Sequence, residues 1–133
     1  MKIIITFLIL LFNYNLSYSQ ISNYSEKEIS DYIQSLIGGD REVSVKSGRI
    51  DLVHNGIAYE IDWASKWKES IGQALWYAQQ SNSKPGIILI LKKDSDYKYF
   101  IQLNSSLNYA KLTEEFVVYL FPNDFEKFMD NDK

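Results

Sequence analysis

Ile87, Ile88, Leu89, Ile90 and Leu91 follow one another without a polar interruption, and this run constrains the fold more than any other feature. Five aliphatic residues are too few to cross a bilayer, and a strand with one wet face would alternate. An unbroken run of this length fits a central strand covered on both faces. A sheet carrying such a strand needs a layer on each side, and the helical patterns elsewhere in the chain are the available cover. The expected class is α/β, with one mixed sheet between helices.

The flanking patterns supply the other elements. Ser25 stands three residues before Glu28, a capping box in which each side chain satisfies the other's free backbone N–H. Ile29, Tyr32, Ile33, Leu36 and Ile37 then recur at helical spacing until Gly38-Gly39 ends the helix. Residues 41–45 alternate as a half-buried strand, with Val43 and Val45 on one face. Residues 49–54 place Ile50, Leu52 and His54 opposite Arg49, Asp51 and Val53. Asn55-Gly56 is a strong hairpin signal, since both residues tolerate the positive φ of a type I′ turn. Residues 57–63 return as the third strand, with Glu60 and Asp62 sharing a face with Ala58. Ser65 is the expected cap of a second helix bearing Trp67, Ile71, Ala74, Leu75 and Ala78. Gly72 inside that helix costs about 1 kcal/mol relative to alanine, so a close approach of helix to sheet is expected there. Trp67 and Trp76 could stack on bases; at helical spacing Trp67 is expected in the core. Residues 97–107 fit either a helix or a strand. A last strand over residues 116–121, stopped by Pro122, and a short helix with Phe125 and Phe128 complete the pattern.

The first residues read differently. Met1-Lys2, an apolar run over residues 3–12 and the small residues of Ser17-Tyr18-Ser19 have the form of a secretory signal peptide, residues 1–19, cleaved before Gln20. The apolar run is short for a membrane span, so no stable membrane association is expected after cleavage. The expected product is one exported domain, residues 20–133, periplasmic or secreted. The absence of cysteine excludes a disulfide scaffold, a thiolate zinc site and a lipoprotein anchor. The formal charge of −3 becomes more negative once Lys2 is removed, so the chain lacks the global basic footprint of a non-specific nucleic-acid binder.

The chemistry-bearing residues concentrate between Gly48 and Tyr77. Asp51 lies on one strand of the tight hairpin and Glu60 with Asp62 on the other. Counting across Asn55-Gly56 sets Asp51 directly opposite Glu60. Like charges so placed repel, and a bound cation is one reason to keep them; a solvated face of ordinary carboxylates is the other. His54, the only histidine, sits by the turn and is read as a surface residue. No nucleophile elbow, P-loop, dinucleotide fingerprint or zinc-ligand spacing is present.

Gly48-Arg49-Ile50-Asp51, Tyr59-Glu60-Ile61-Asp62 and Gly72-Gln73-Ala74-Leu75-Trp76-Tyr77 together resemble the PD-(D/E)XK nuclease superfamily. The likeness is to its small RecB-type and Holliday-junction-resolvase-like members with a Q-x-x-x-Y helix, and it covers roughly residues 25–91. It implies a restriction-endonuclease-like αβββαβ core and Mg²⁺- or Mn²⁺-dependent hydrolysis of DNA or RNA phosphodiesters. Asp51 matches the metal-binding aspartate and Glu60 the acidic residue of the E-x-K element. Asp62 occupies the lysine position, and Lys66, one turn on, is the candidate for a lysine displaced into the next helix, with Lys68 as substitute. If neither ammonium reaches the site, Asp62 becomes a third metal ligand. Glu42, and more weakly Glu28, are the candidates for an additional acidic ligand. Gln73 and Tyr77 would orient the site or contact the nucleic-acid backbone.

The expected function is therefore that of an exported, metal-dependent nuclease with nucleic acid as substrate, and a homodimer is left open. Two alternatives stand beside it: a nuclease-like fold kept as a binding module, and a secreted interaction domain presenting its tyrosines. Wide separation of Asp51, Glu60 and Lys66 would favour the last.

Overall fold

A computed structural model describes residues 17–129, so residues 1–16 of the expected leader lie outside the described residues. The elements in order are α1 (Tyr18–Ile21), α2 (Glu26–Ile37), β1 (Asp40–Val45), β2 (Gly48–His54), β3 (Ile57–Trp63), α3 (Trp67–Ser81), β4 (Lys84–Ile90), α4 (Tyr97–Tyr109), β5 (Val117–Phe121) and α5 (Glu126–Met129). Short 3₁₀ turns precede α3, α4 and α5. The strands form one sheet in the order β1-β2-β3-β4-β5. Neighbours from β1 to β3 are antiparallel, and those from β3 to β5 are parallel. This is the expected α/β class with its αβββαβ order, extended by α4 and β5.

β4 is the covered strand. Ile88 and Ile90 face Ile29 and Ile33 of α2 together with Phe121 and Phe125. Ile87 and Leu89 face Trp67 and Ala74 of α3 and Leu103 and Leu107 of α4. All four β4 side chains are fully buried, and each contributes roughly 1.5–3 kcal/mol of transfer free energy. Two helical layers exist because this strand has no face that tolerates water.

Local signals explain most boundaries. Ser25 Oγ accepts the Glu28 N–H at 3.1 Å, and Glu28 Oε2 accepts the Ser25 N–H at 2.7 Å, which starts α2. Asn55 and Gly56 have φ of 49° and 75°, the positive values that the tight β2–β3 turn requires. Residues 97–107 are helical within α4, and Leu103 and Leu107 supply its core-facing stripe. Trp67 is core, its Nε1–H donating to Gln102 Oε1 at 3.1 Å.

Three expectations need correction. Ser65 lies in a 3₁₀ turn and does not cap α3, whose start has no side-chain cap. Gly72 is exposed with nothing within 4 Å of where a Cβ would stand, so close packing does not account for it. Ile50 and Leu52 do not share a face: Ile50 packs with Ala58 and Ala78 under α3, whereas Leu52 joins the α2 core. Strict alternation fails across Asp51, opposite Glu42, whose φ is 52°.

The chain ahead of α2 belongs to the same core. Ile21 is buried, and Tyr18 packs against both helical layers. The Asn123 amide donates to the Tyr18 hydroxyl at 3.2 Å. Among the described residues no helix is long and apolar enough to cross a membrane.

Candidate functional site

The candidate site forms where β2 and β3 part. Their ladder pairs His54 with Ile57, Val53 with Ala58 and Leu52 with Tyr59, the register set by the two-residue turn, and it goes no further. At the next step Asp51 and Glu60 do not form the expected ladder pair. Instead Asp51 Oδ2 accepts the Ile61 N–H at 2.8 Å, and a side chain takes over a partner that backbone would have supplied. Arg41 donates from Nη1 to the Asp51 carbonyl and from Nε to Asp31 Oδ1 of α2 at 3.1 Å. Both polar ends of Asp51 are thus held while the strands diverge.

Glu60, on β3, is only 6% exposed, and its Oε1 has no hydrogen-bond partner among the described residues. Burial, the Asp51 charge and a hydrogen bond shared with Asp51 push its carboxyl up to about 9. Burial also raises Asp51, against the opposing pull of the Ile61 N–H and the Arg41 guanidinium. A carboxyl of this kind holds a proton at neutral pH unless a cation replaces it.

A second pair adjoins the first. Glu26 opens α2 beside Asp62, and burial, then a hydrogen bond with Asp62, lift Glu26 to about 7. Lys66 Nζ lies 3.6 Å from Asp62 Oδ1 and 3.9 Å from Glu26 Oε2. Lys66 therefore reaches back across the 3₁₀ turn to the strand that carries Asp62. Asp62 Oδ1 also accepts the Trp63 N–H at 3.0 Å. Glu26 was not a candidate from sequence, and its only signal was its position as the first residue after the Ser25 cap.

The other candidates stand elsewhere. Glu42 is exposed on β1 with its Oε2 4.0 Å from Arg49 Nη1, and its backbone is left-handed. Glu28 is occupied in the capping box. Lys68 is exposed, its Nζ 5.7 Å from the Trp67 ring centre. Gln73 is exposed and does not steady the carboxylates through any hydrogen bond among the described residues. Tyr77 lies against Gly48 so closely that a Cβ there would collide with its ring and hydroxyl. Its role is to seat the start of β2. Trp76 Nε1–H donates to Ser47 Oγ at 2.6 Å, tying the β1–β2 turn to α3.

Among the described residues no group of three or more acidic, histidine or cysteine side chains is placed to hold a cation as it stands. Hydrogen bonds join Asp51 to Glu60 and Glu26 to Asp62, and the charges of all four act on one another. One pair is enough for the chemistry in question, because Mg²⁺ is commonly held by one or two carboxylates, with water and substrate phosphate completing its shell. The hard oxygen donors and the orphaned Glu60 Oε1 fit such an ion.

No protein-family profile and no solved structure matches the chain. Two proteins of Acanthamoeba polyphaga mimivirus are similar to part of it. The one named KilA-N domain-containing protein L33 is 45% identical over 53 residues, 40% of this chain and 22% of its own length. The one named KilA-N domain-containing protein L32 is 35% identical over 63 residues, 47% of this chain and 17% of its own length. The matching stretch is thus about a fifth of each viral protein.

Proposed function

We propose that this protein is a metal-dependent nuclease of the PD-(D/E)XK type, hydrolysing DNA or RNA phosphodiesters. The observation that carries the reading is the buried Glu60 carboxyl, with one oxygen unpartnered, against Asp51 at the split of the β2–β3 hairpin. A Mg²⁺ or Mn²⁺ ion held by Asp51 and Glu60 would polarise the phosphoryl group and lower the pKa of a bound water. Asp62 and Glu26 form the outer wall, and Lys66 balances their charge while offering an ammonium to a phosphate oxygen. Hydrolysis forms a bond from the water oxygen to phosphorus and breaks the bond to the leaving oxygen, which departs with a proton. The Ile61 N–H and Arg41 keep Asp51 in place throughout.

The partial likeness to two proteins named as KilA-N domain-containing is in keeping with a nucleic-acid target. The leader-like residues 1–19 support export, with any encounter with nucleic acid then falling outside the cytoplasm, and cleavage before Gln20 would take Tyr18 out of the core it joins. Purified protein given Mg²⁺ or Mn²⁺ should nick plasmid DNA or degrade RNA, and Asp51→Ala should not.

A second reading is a nuclease-like fold retained for binding, favoured by an aspartate where the superfamily resemblance expects lysine and by the net negative charge. It predicts nucleic-acid binding without metal-stimulated cleavage and no heat on titration with Mg²⁺.

A further inference from the structure

A second feature adjoins the carboxylates. A cleft of about 350 Å³ opens at the carboxyl ends of β3 and β4, lined by Trp63, Lys92, Lys93, Lys98 and Tyr99 among others. In open α/β sheets this is the end at which ligands bind. Its lining includes Trp63, Ala64 and Ser65, the residues between Asp62 and Lys66, so along the chain it borders the outer pair of the candidate centre. Its three lysines make no ion pair among the described residues. The carboxylate in its lining, Asp96, is buried and accepts the Lys92 N–H at 2.9 Å, so it is committed to the loop. Lys92 Nζ stands 4.2 Å from the Trp63 ring centre and Lys98 Nζ 5.0 Å from that of Tyr99. In a chain with a net charge of −3, three unpaired lysines beside two aromatic rings are a local reversal of the global balance.

We infer that this cleft binds an unpaired nucleotide next to the phosphodiester presented to the carboxylates. Lys93 and Lys98 hold neighbouring backbone phosphates, and Lys92 and Lys98 swing off the rings they cover so that the base lies against Tyr99 and Trp63. Cation and ring together form the platform that single strands use, independent of base identity. A duplex cannot place a base there without opening, so the protein prefers single strands, flaps or frayed ends. This inference rests on the nuclease reading for its choice of ligand, and its test separates the two.

The test is fluorescence anisotropy with a labelled oligothymidylate and a duplex of equal length, in EDTA to prevent cleavage, across a range of salt. The full chain should bind the single strand more tightly than the duplex. K93E/K98E should weaken single-strand binding at least tenfold and flatten the dependence of log K on log salt by about 1.4, or about 0.7 per lost phosphate contact. K84E/K111E, with the same charge change at the other end of β4 and α4, should bind within twofold of the parent. Tyr99→Leu should weaken the single strand about fivefold or more and leave the duplex unchanged. No binding, a duplex preference, or K93E/K98E behaving like K84E/K111E overturns the assignment. Binding through Lys93 and Lys98 without cleavage in Mg²⁺ or Mn²⁺ keeps the cleft and removes the nuclease reading. Cleavage with binding indifferent to those lysines does the reverse.

Discussion

Lys66 Nζ stands 3.6 Å from Asp62 Oδ1, one helical turn back along the chain. The pair joins a cation from the connection before α3 to the strand position where the resemblance expects the cation itself. The 3₁₀ turn over Ala64–Lys66 makes this possible, because it folds the chain back immediately after β3. Replacing Lys66 with Met should lower cleavage about a hundredfold or more, the usual cost of losing a preorganised positive group at a developing charge. Since the Lys66 side chain is 55% exposed, stability should change by no more than about 0.5 kcal/mol. Cleavage rates and urea denaturation of the same preparation check both parts.

Glu60 gives the structure a pH signature. Its carboxyl is raised from 4.5 to about 9 in the fold, so the folded chain keeps a proton that the unfolded chain releases. The associated stability is fully present below about 4.5 and is lost as pH rises towards 9. Glu26, raised to about 7, acts in the same direction over the lower part of that window. Thermal denaturation in EDTA should therefore show a melting temperature that falls from pH 5 to pH 9. Glu60→Gln should flatten the fall, exceeding the parent in stability at pH 8 and converging with it below pH 4.5.

Metal should counter that loss. An ion that binds the folded chain alone adds about 2.7 kcal/mol at one hundred times its dissociation constant. Mn²⁺ or Mg²⁺ should raise the melting temperature at pH 8, where the carboxyls can be stripped of protons, and do little at pH 5. Asp51→Asn should abolish the increase. An equal rise in parent and variant would place the ion elsewhere.

Arg41 joins Asp31 of α2 to the Asp51 carbonyl with only 11% of its side chain exposed. Arg41→Met removes both contacts and leaves that carbonyl without its donor. The expected cost is about 1–3 kcal/mol, together with reduced cleavage as Asp51 loses its seating. Arg41→Lys restores charge but not the two-armed reach, so it should recover only part of either loss. Chemical denaturation and cleavage assays read the two effects separately.

What the sequence discloses and what it hides follow from the range of the interactions involved. Ile87 to Leu91, the Ser25–Glu28 box and the Asn55-Gly56 turn act within a few residues, and each stands where its pattern puts it. The pairings of Asp51 with Glu60 and of Asp62 with Lys66 were legible because a two-residue turn joins the strands of the first and one helical turn separates the members of the second. Glu26 was not, since its place beside Asp62 depends on how α2 docks across the sheet, and no local pattern encodes that. The same holds for Arg41, which reads as an ordinary strand residue until the ladder opens beside it. Glu42 stands apart because β1 alternates as its pattern predicts and turns that side chain to solvent beside Arg49; its reading as a ligand came from the resemblance and not from the strand pattern. Gly72 misled because a glycine suggests contact, while its surroundings are open.

Catalysis by a metal ion at the Asp51–Glu60 pair is decided by plasmid nicking in Mn²⁺ with the parent chain and Asp51→Ala side by side. The parent should convert supercoiled plasmid to nicked and linear forms, and the variant should be slower by about a hundredfold or more while retaining its fold by circular dichroism. Equal conversion by the two proteins, or none by a folded parent on either DNA or RNA, contradicts it.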